Sequence, residues 1–311
     1  MATVLVTLLV VVLALWLFAN FAAGYVALHP FRSPVFFSPG AMGLPQETFD
    51  FDNGGGIRLR ATWTSPDAPT GVVVAAHGYC MNRSELAPFT AFFAERGLAT
   101  MLFDFRNHGQ SGRGRCGIGV YEKEDVWAAV AEARRRVPDG RIVLLGSSMG
   151  SAAIGFAVGE RRELVDAVIL DSCYDRLYDA AEGWWNFLGL LTQTGSLWRR
   201  LLWPVVRLAR PFAGFDPKRA SVASALQGYG RPVLLLHGLD DTIAPPACAE
   251  RIRDAIGAET PVAWFEGCDH SEMRWLQPDE YREALAGFFD RIGLPKRETV
   301  AGGSRVEEPV G

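Results

Sequence analysis

Five consecutive residues, Gly146-Ser147-Ser148-Met149-Gly150, follow the apolar run Arg141–Leu145 and open a helix-compatible stretch, Met149–Glu160. A serine with glycines two positions to either side, between a strand and a helix, suits a hydroxyl lifted above a sheet to attack a carbonyl. The glycines are needed because the backbone is crowded at so sharp a turn and the dihedrals of the serine are strained. The amide of Met149 would then face the reacting oxygen, with the positive end of a helix behind it. A Gly/Ser-rich helix cap without chemistry would use similar letters, but the flanking strand and helix patterns favour Ser148 as a nucleophile.

Such a hydroxyl needs a base, and the base needs a third group to orient it. The chain has five histidines. His77, His108 and His237 each precede a glycine at a strand end or turn, where a structural role is the simpler account, and His29 lies beside an apolar N-terminal run. His270, in Gly267-Cys268-Asp269-His270-Ser271, falls between the last strand pattern and the last helix pattern and is the candidate base. The acid belongs between nucleophile and base in chain order, on a loop after a strand. Asp240 and Asp241, following Pro232–Leu236, both qualify, with Asp171 in reserve; Asp269 reads as a loop or solvent-facing carboxylate. A second oxyanion donor belongs after the strand Gly71–Ala76, where His77-Gly78-Tyr79 begins a loop and offers the backbone amide of Tyr79.

The elements around these residues alternate. Two strand-like runs, Glu47–Asp52 and Ile57–Thr64, are joined by the hairpin signal Asn53-Gly54-Gly55-Gly56. Gly71–Ala76, Ala99–Asp104, Arg141–Leu145, Val165–Asp171, Pro232–Leu236 and Pro261–Phe265 are short apolar runs suited to strands covered on both faces. Helical patterns lie between them at Ser84–Glu95, Tyr121–Val137, Met149–Glu160, Pro246–Ile256 and Pro278–Ile292. The alternation predicts an α/β fold with a mainly parallel sheet flanked by helices. Residues 174–229 break the rhythm with Trp184, Trp185, Trp198, Trp203 and many leucines, and read as a helical cap insertion. Packing of this cap on the domain is favoured over membrane contact, although basic and aromatic residues mix between Trp198 and Arg210. The core is therefore expected at 47–173 and 230–293, with a disordered polar tail at 294–311.

Residues 1–28 contain no charged side chain. A helix of that length rises about 42 Å, enough to cross a hydrocarbon layer of about 30 Å with tilt. A cleaved signal peptide would have a positive n-region and a shorter apolar core, so an uncleaved single-pass anchor is the preferred reading, followed by a linker over 29–46. Only Arg32 follows closely, so the membrane face is left undetermined. Among the 311 residues 49% are hydrophobic and 21% charged, which excludes wholesale disorder. Thirty-one basic against 35 acidic residues speak against nucleic acid as a partner. Five cysteines without a CxxC pair make a disulfide scaffold or a cysteine zinc site poor readings.

Four segments occur in order: His77-Gly78-Tyr79, Asp104 to Ser111, Gly146 to Gly150, and His237-Gly238-Leu239-Asp240-Asp241-Thr242-Ile243-Ala244-Pro245. Together they resemble the α/β-hydrolases over Glu47 to Gly293, and most closely the membrane-anchored bacterial hydrolases of the serine aminopeptidase-like group. The last segment is similar to the HGxxDxxVP acid loop of that family, with Ala244 in place of the usual Val, which implies Asp241 rather than Asp240 as the acid. The resemblance also implies a Ser148–His270–Asp241 triad without metal or cofactor, and a small-molecule or lipid acyl substrate. Asp104 and Arg106 are implied to make buried polar contacts. Acyl-ester hydrolysis is the expected activity. Peptidase or amidase activity, a silent membrane scaffold and a lipid-binding module are the alternatives.

Overall fold

The computed structural model describes residues 1–202, 204–205, 213–217 and 219–297. Trp203, residues 206–212 and Lys218 of the expected cap, and 298–311 of the expected tail, lie outside the described residues.

One eight-stranded sheet runs in the order β1-β2-β4-β3-β5-β6-β7-β8. The strands are β1 (Glu47–Asp52), β2 (Arg58–Thr64), β3 (Gly71–Ala76), β4 (Leu98–Asp104), β5 (Arg141–Ser147), β6 (Ala167–Asp171), β7 (Val233–Gly238) and β8 (Val262–Phe265). β2 pairs antiparallel with both β1 and β4, and every later pairing is parallel. The central strands are buried along almost their whole length, as strands covered by helices on both faces must be. Alternate residues of one strand feed opposite layers: Val72, Val74 and Ala76 pack on one side, Val73 and Ala75 on the other. The first layer includes Val126 and Ala129 of α3 (Lys123–Arg136) and Ile154 of α4 (Met149–Glu160); the second includes Tyr281, Leu285 and Phe289 of the helix Pro278–Arg291. This is the α/β-hydrolase fold.

The helix expected at Ser84–Glu95 is shorter: a 3₁₀ turn at Ala87–Phe89 and then α2 at Thr90–Ala94. Pro88 has no amide to donate, and the side chains before it serve other partners. Ser84 Oγ accepts from the amides of Phe36 and Phe37, each at 3.1 Å, and Asn82 Nδ2 reaches Ser33 and Pro34. The segment 29–46 is thereby strapped to the core rather than left as a free tether, and it contains a 3₁₀ turn at Pro39–Met42.

The N-terminal helix α1 (Ala2–Ala27) is long and apolar enough to cross a membrane. Within it only Asn20 and Gly24, one turn apart, are buried. Residues 174–229 contribute α5 (Leu177–Leu191), α6 (Leu197–Leu202) and the short helix Val222–Ala225.

Candidate active site

The loops that carry the candidate residues all leave the carboxyl ends of strands, where side chains from several crossovers converge. β5 ends at Ser147, and Ser148 has φ 50° and ψ −110° before α4 begins at Met149. A left-handed φ at a non-glycine residue is strained and must be held by its surroundings. Here the Ser148 amide donates to the Asp171 carbonyl at the end of the neighbouring strand, at 2.8 Å. A Cβ at Gly146 would run into the backbone of Gly150 and Ser151, and one at Gly150 would strike the Ala76 and His77 carbonyl oxygens. Both glycines are therefore required by close backbone approach.

His270 Nε2 lies 2.8 Å from Ser148 Oγ, and its Nδ1 lies 2.8 Å and 3.0 Å from the two oxygens of Asp241. The geometry suits Nδ1–H donating to the carboxylate and Nε2 accepting the serine proton. Asp241 is buried, and its Oδ1 also accepts from the amides of Ile243 (3.0 Å) and Ala244 (2.7 Å). Asp240 is exposed and its amide is spent on the Cys268 carbonyl. Asp171 lies beneath the site, bonded to Ser172 and Tyr281. Of the three acids considered, the structure brings only Asp241 to His270.

The Met149 amide opens α4 and has no carbonyl one turn back to meet. The Tyr79 amide lies in the loop after β3, where the turn is closed instead by Met81 N–H donating to the Gly78 carbonyl at 3.2 Å. His77, His108 and His237 are buried and hydrogen-bonded to backbone groups. His77 accepts from the Phe105 amide at 3.0 Å and donates to the Gly78 carbonyl at 2.7 Å. His237 donates to the Ala244 carbonyl at 2.7 Å. Burial holds His77 and His237 below the usual histidine range, and takes His108 down to about 3.

Several positioning residues escaped the reading of the sequence. Asp269 is no loose loop carboxylate: its Oδ1 accepts from the amides of Thr242 and His270, each at 2.7 Å, stapling the Asp241 loop to the His270 loop. Glu85 is almost wholly buried and accepts from the Gly78 amide (2.6 Å), Ser147 Oγ (2.8 Å) and Arg274 Nη2 (2.8 Å). Burial pushes its carboxyl up, but Arg274 and the Gly78 amide more than offset this, and the net shift is downward. Arg274 Nη1 also lies 3.4 Å from Asp171 Oδ2, and Ser172, bonded to Asp171, accepts from the Ser271 amide at 3.0 Å. One chain of buried polar contacts thus ties the loop after β3, the Ser148 turn and the His270 loop together. Asp104 pairs with Arg83, and Arg106 with Asp125, away from the reacting atoms.

A cavity of about 490 Å³ opens beside Ser148 and Met149, walled by α5 (Leu177, Trp184, Leu188) and by the end of α1 (Ala23, Ala27). Among the described residues that line it, none is charged. A second cavity, about 380 Å³, lies near Tyr229, Pro232 and Thr260 at the start of β7, remote from Ser148.

The family model described as serine aminopeptidase, S33, matches residues 67–203. The chain is 29% identical to the uncharacterized protein YfhR of Escherichia coli O157:H7 over 251 residues, which is 78% of this chain and 80% of that one. It is 27% identical to a monoacylglycerol lipase of Mycolicibacterium smegmatis over 236 residues, 66% of this chain and 82% of that one. Among solved structures, the Pyrococcus furiosus esterase Pf2001 superposes with a TM-score of 0.70 at 19% identity, covering 86% of this chain and all of that one. An acylaminoacyl peptidase of Pyrococcus horikoshii reaches 0.60 at 17% identity, over 82% of this chain and 43% of that one.

Proposed function

With an α/β-hydrolase fold as the premise, we propose that the chain is a serine hydrolase that cleaves acyl esters, anchored to a membrane by α1. Ser148 Oγ attacks the acyl carbonyl while its proton passes to His270 Nε2. Asp241 orients the imidazole and stabilises its charged form, and the amides of Tyr79 and Met149 receive the developing oxyanion. Collapse expels the alcohol, which leaves with the proton from His270. Water, deprotonated by the same nitrogen, then releases the acid and restores Ser148. The chain of contacts from Ser148 to His270 to Asp241, at 2.8 Å per step, supports these roles.

The observation that carries the choice of substrate is the cavity: apolar, uncharged among its described lining residues, and lined in part by Ser148. It suits an alkyl chain. The peptidase alternative rests on the description of the matched family and on the likeness to an acylaminoacyl peptidase. A peptide with a free amino terminus would need a carboxylate to meet its ammonium, and the described lining offers none.

Labelling of the detergent-solubilised full chain by a fluorophosphonate tests the nucleophile, since the reagent needs an activated serine and little else. We expect labelling that disappears in Ser148→Ala, and p-nitrophenyl ester turnover reduced by at least about 10³-fold in Ser148→Ala and His270→Ala. Near-wild-type turnover in either variant would overturn the triad. Faster cleavage of aminoacyl amides than of esters would overturn the substrate class.

A further inference from the structure

Resting on the esterase reading, we propose that the last two turns of α1 form a wall of the acyl pocket, so that the site takes long-chain acyl esters drawn directly from the bilayer around α1. Three observations carry this. Ala23 and Ala27, one turn apart on α1, line the same cavity as Ser148 and as Trp184 and Leu188 of α5. The helix is also fastened there by specific polar contacts. Tyr79, whose amide is the proposed oxyanion donor, donates its hydroxyl hydrogen to the Ala27 carbonyl at 2.8 Å. Trp16 Nε1 and Asn20 Nδ2 both donate to the Leu201 carbonyl of α6, at 2.9 Å and 3.2 Å. An asparagine inside an otherwise apolar helix is costly in lipid, and here it marks the docked face.

The third observation is one of length. Ahead of Asn20 the helix is exposed apart from the half-buried Trp16. Those 18 residues rise about 27 Å, close to the hydrocarbon thickness of a bilayer. The membrane boundary therefore falls near Asn20, and the pocket wall begins at Ala23, about 4.5 Å further along the helix. An alkyl chain leaving the bilayer beside α1 enters an apolar cavity without crossing water. It avoids exposing its methylene groups to water.

The test uses the full chain in detergent micelles and the double variant Ala23→Phe/Ala27→Phe, with Ala19→Phe on the exposed part of the same helix as control. The ratio of kcat/KM for p-nitrophenyl palmitate to that for p-nitrophenyl butyrate should fall at least tenfold in the double variant and change less than twofold in the control. An unchanged ratio overturns the proposal. A palmitate probe carrying a diazirine near its chain end gives a second readout that needs neither turnover nor the double variant. In Ser148→Ala, crosslinks within residues 20–31 support the pocket wall, and crosslinks confined to other segments overturn it. If wild type and Ser148→Ala hydrolyse esters equally, the esterase reading falls, and the crosslink positions still decide the location of the wall.

Discussion

At the scale of the residue, the candidate site depends on charges that never touch substrate. Glu85 holds the Gly78 amide and the Ser147 hydroxyl, and its own charge is balanced by Arg274. Removing one partner leaves the other buried without its counter-charge, a loss of about 3–5 kcal/mol for a pair so placed. Glu85→Ala should lose that much in urea unfolding, and Glu85→Ala/Arg274→Met should recover part of it; additive losses would sink the pairing argument. Asp269 acts on His270 through the backbone. Asp269→Ala should lower ester kcat by about tenfold or more with a smaller change in KM, because it frees both the Thr242 and the His270 amides. Unchanged kcat would reduce Asp269 to a surface turn residue. The candidate pair Ser148 and His270 and the shortlist of aspartates were readable from motif and chain order, whereas the buried contacts of Glu85, Arg274 and Asp269 were not. A buried carboxylate and an exposed one are the same letter, and only packing distinguishes them.

At the scale of the element, β5, the Ser148 turn and α4 make one unit. α4 is buried for ten of its residues, from Met149 through Val158, and is built largely from Gly, Ala and Ser. Small side chains let its first turn press against the end of β3, where a Cβ at Gly150 would strike the Ala76 carbonyl. Gly150→Ala should therefore lower the unfolding free energy by about 1–3 kcal/mol, as overpacking does, and slow fluorophosphonate labelling. Full stability with full labelling would mean that α4 can shift without consequence. The strands β3 to β7 were legible as apolar runs because both their faces are covered. The helix at Ser84–Glu95 was misjudged in length because Ser84 and Glu85 spend their side chains on distant loops.

At the scale of the whole molecule, pH acts through groups buried in one protonation state. His77, His108 and His237 are held below their ordinary range by burial, so the unfolded chain binds protons near pH 6.5 that the folded chain refuses. Stability contributed by the three is thus present above about pH 6.5 and is lost as pH falls toward the folded values. Each removes about 1.4 kcal/mol per pH unit in that window. Glu122 and Asp179, raised by burial, act in the opposite direction, two groups against three. The free energy of unfolding in urea should accordingly be at least about 1 kcal/mol lower at pH 5.0 than at pH 7.5. Equal or greater stability at pH 5.0 would overturn this balance in favour of the histidines.

Local order needs only neighbours in the chain, and so residue types alone determined the apolar length of α1, the alternation of strands and helices, and the strand–turn–helix around Ser148. Tertiary structure decided which aspartate meets His270, because Asp240 and Asp241 differ by the direction in which one loop turns them, outward or into the core. It also decided that Glu85 joins Ser147, 62 residues away, and Arg274, 189 residues away. Such pairings exist only once the crossovers have stacked the carboxyl ends of the strands. The same holds for the pocket: that α1 is apolar is written in its letters, while its place in the wall shared with Ser148 rests on contacts of Ala27 with Tyr79 and of Trp16 and Asn20 with Leu201.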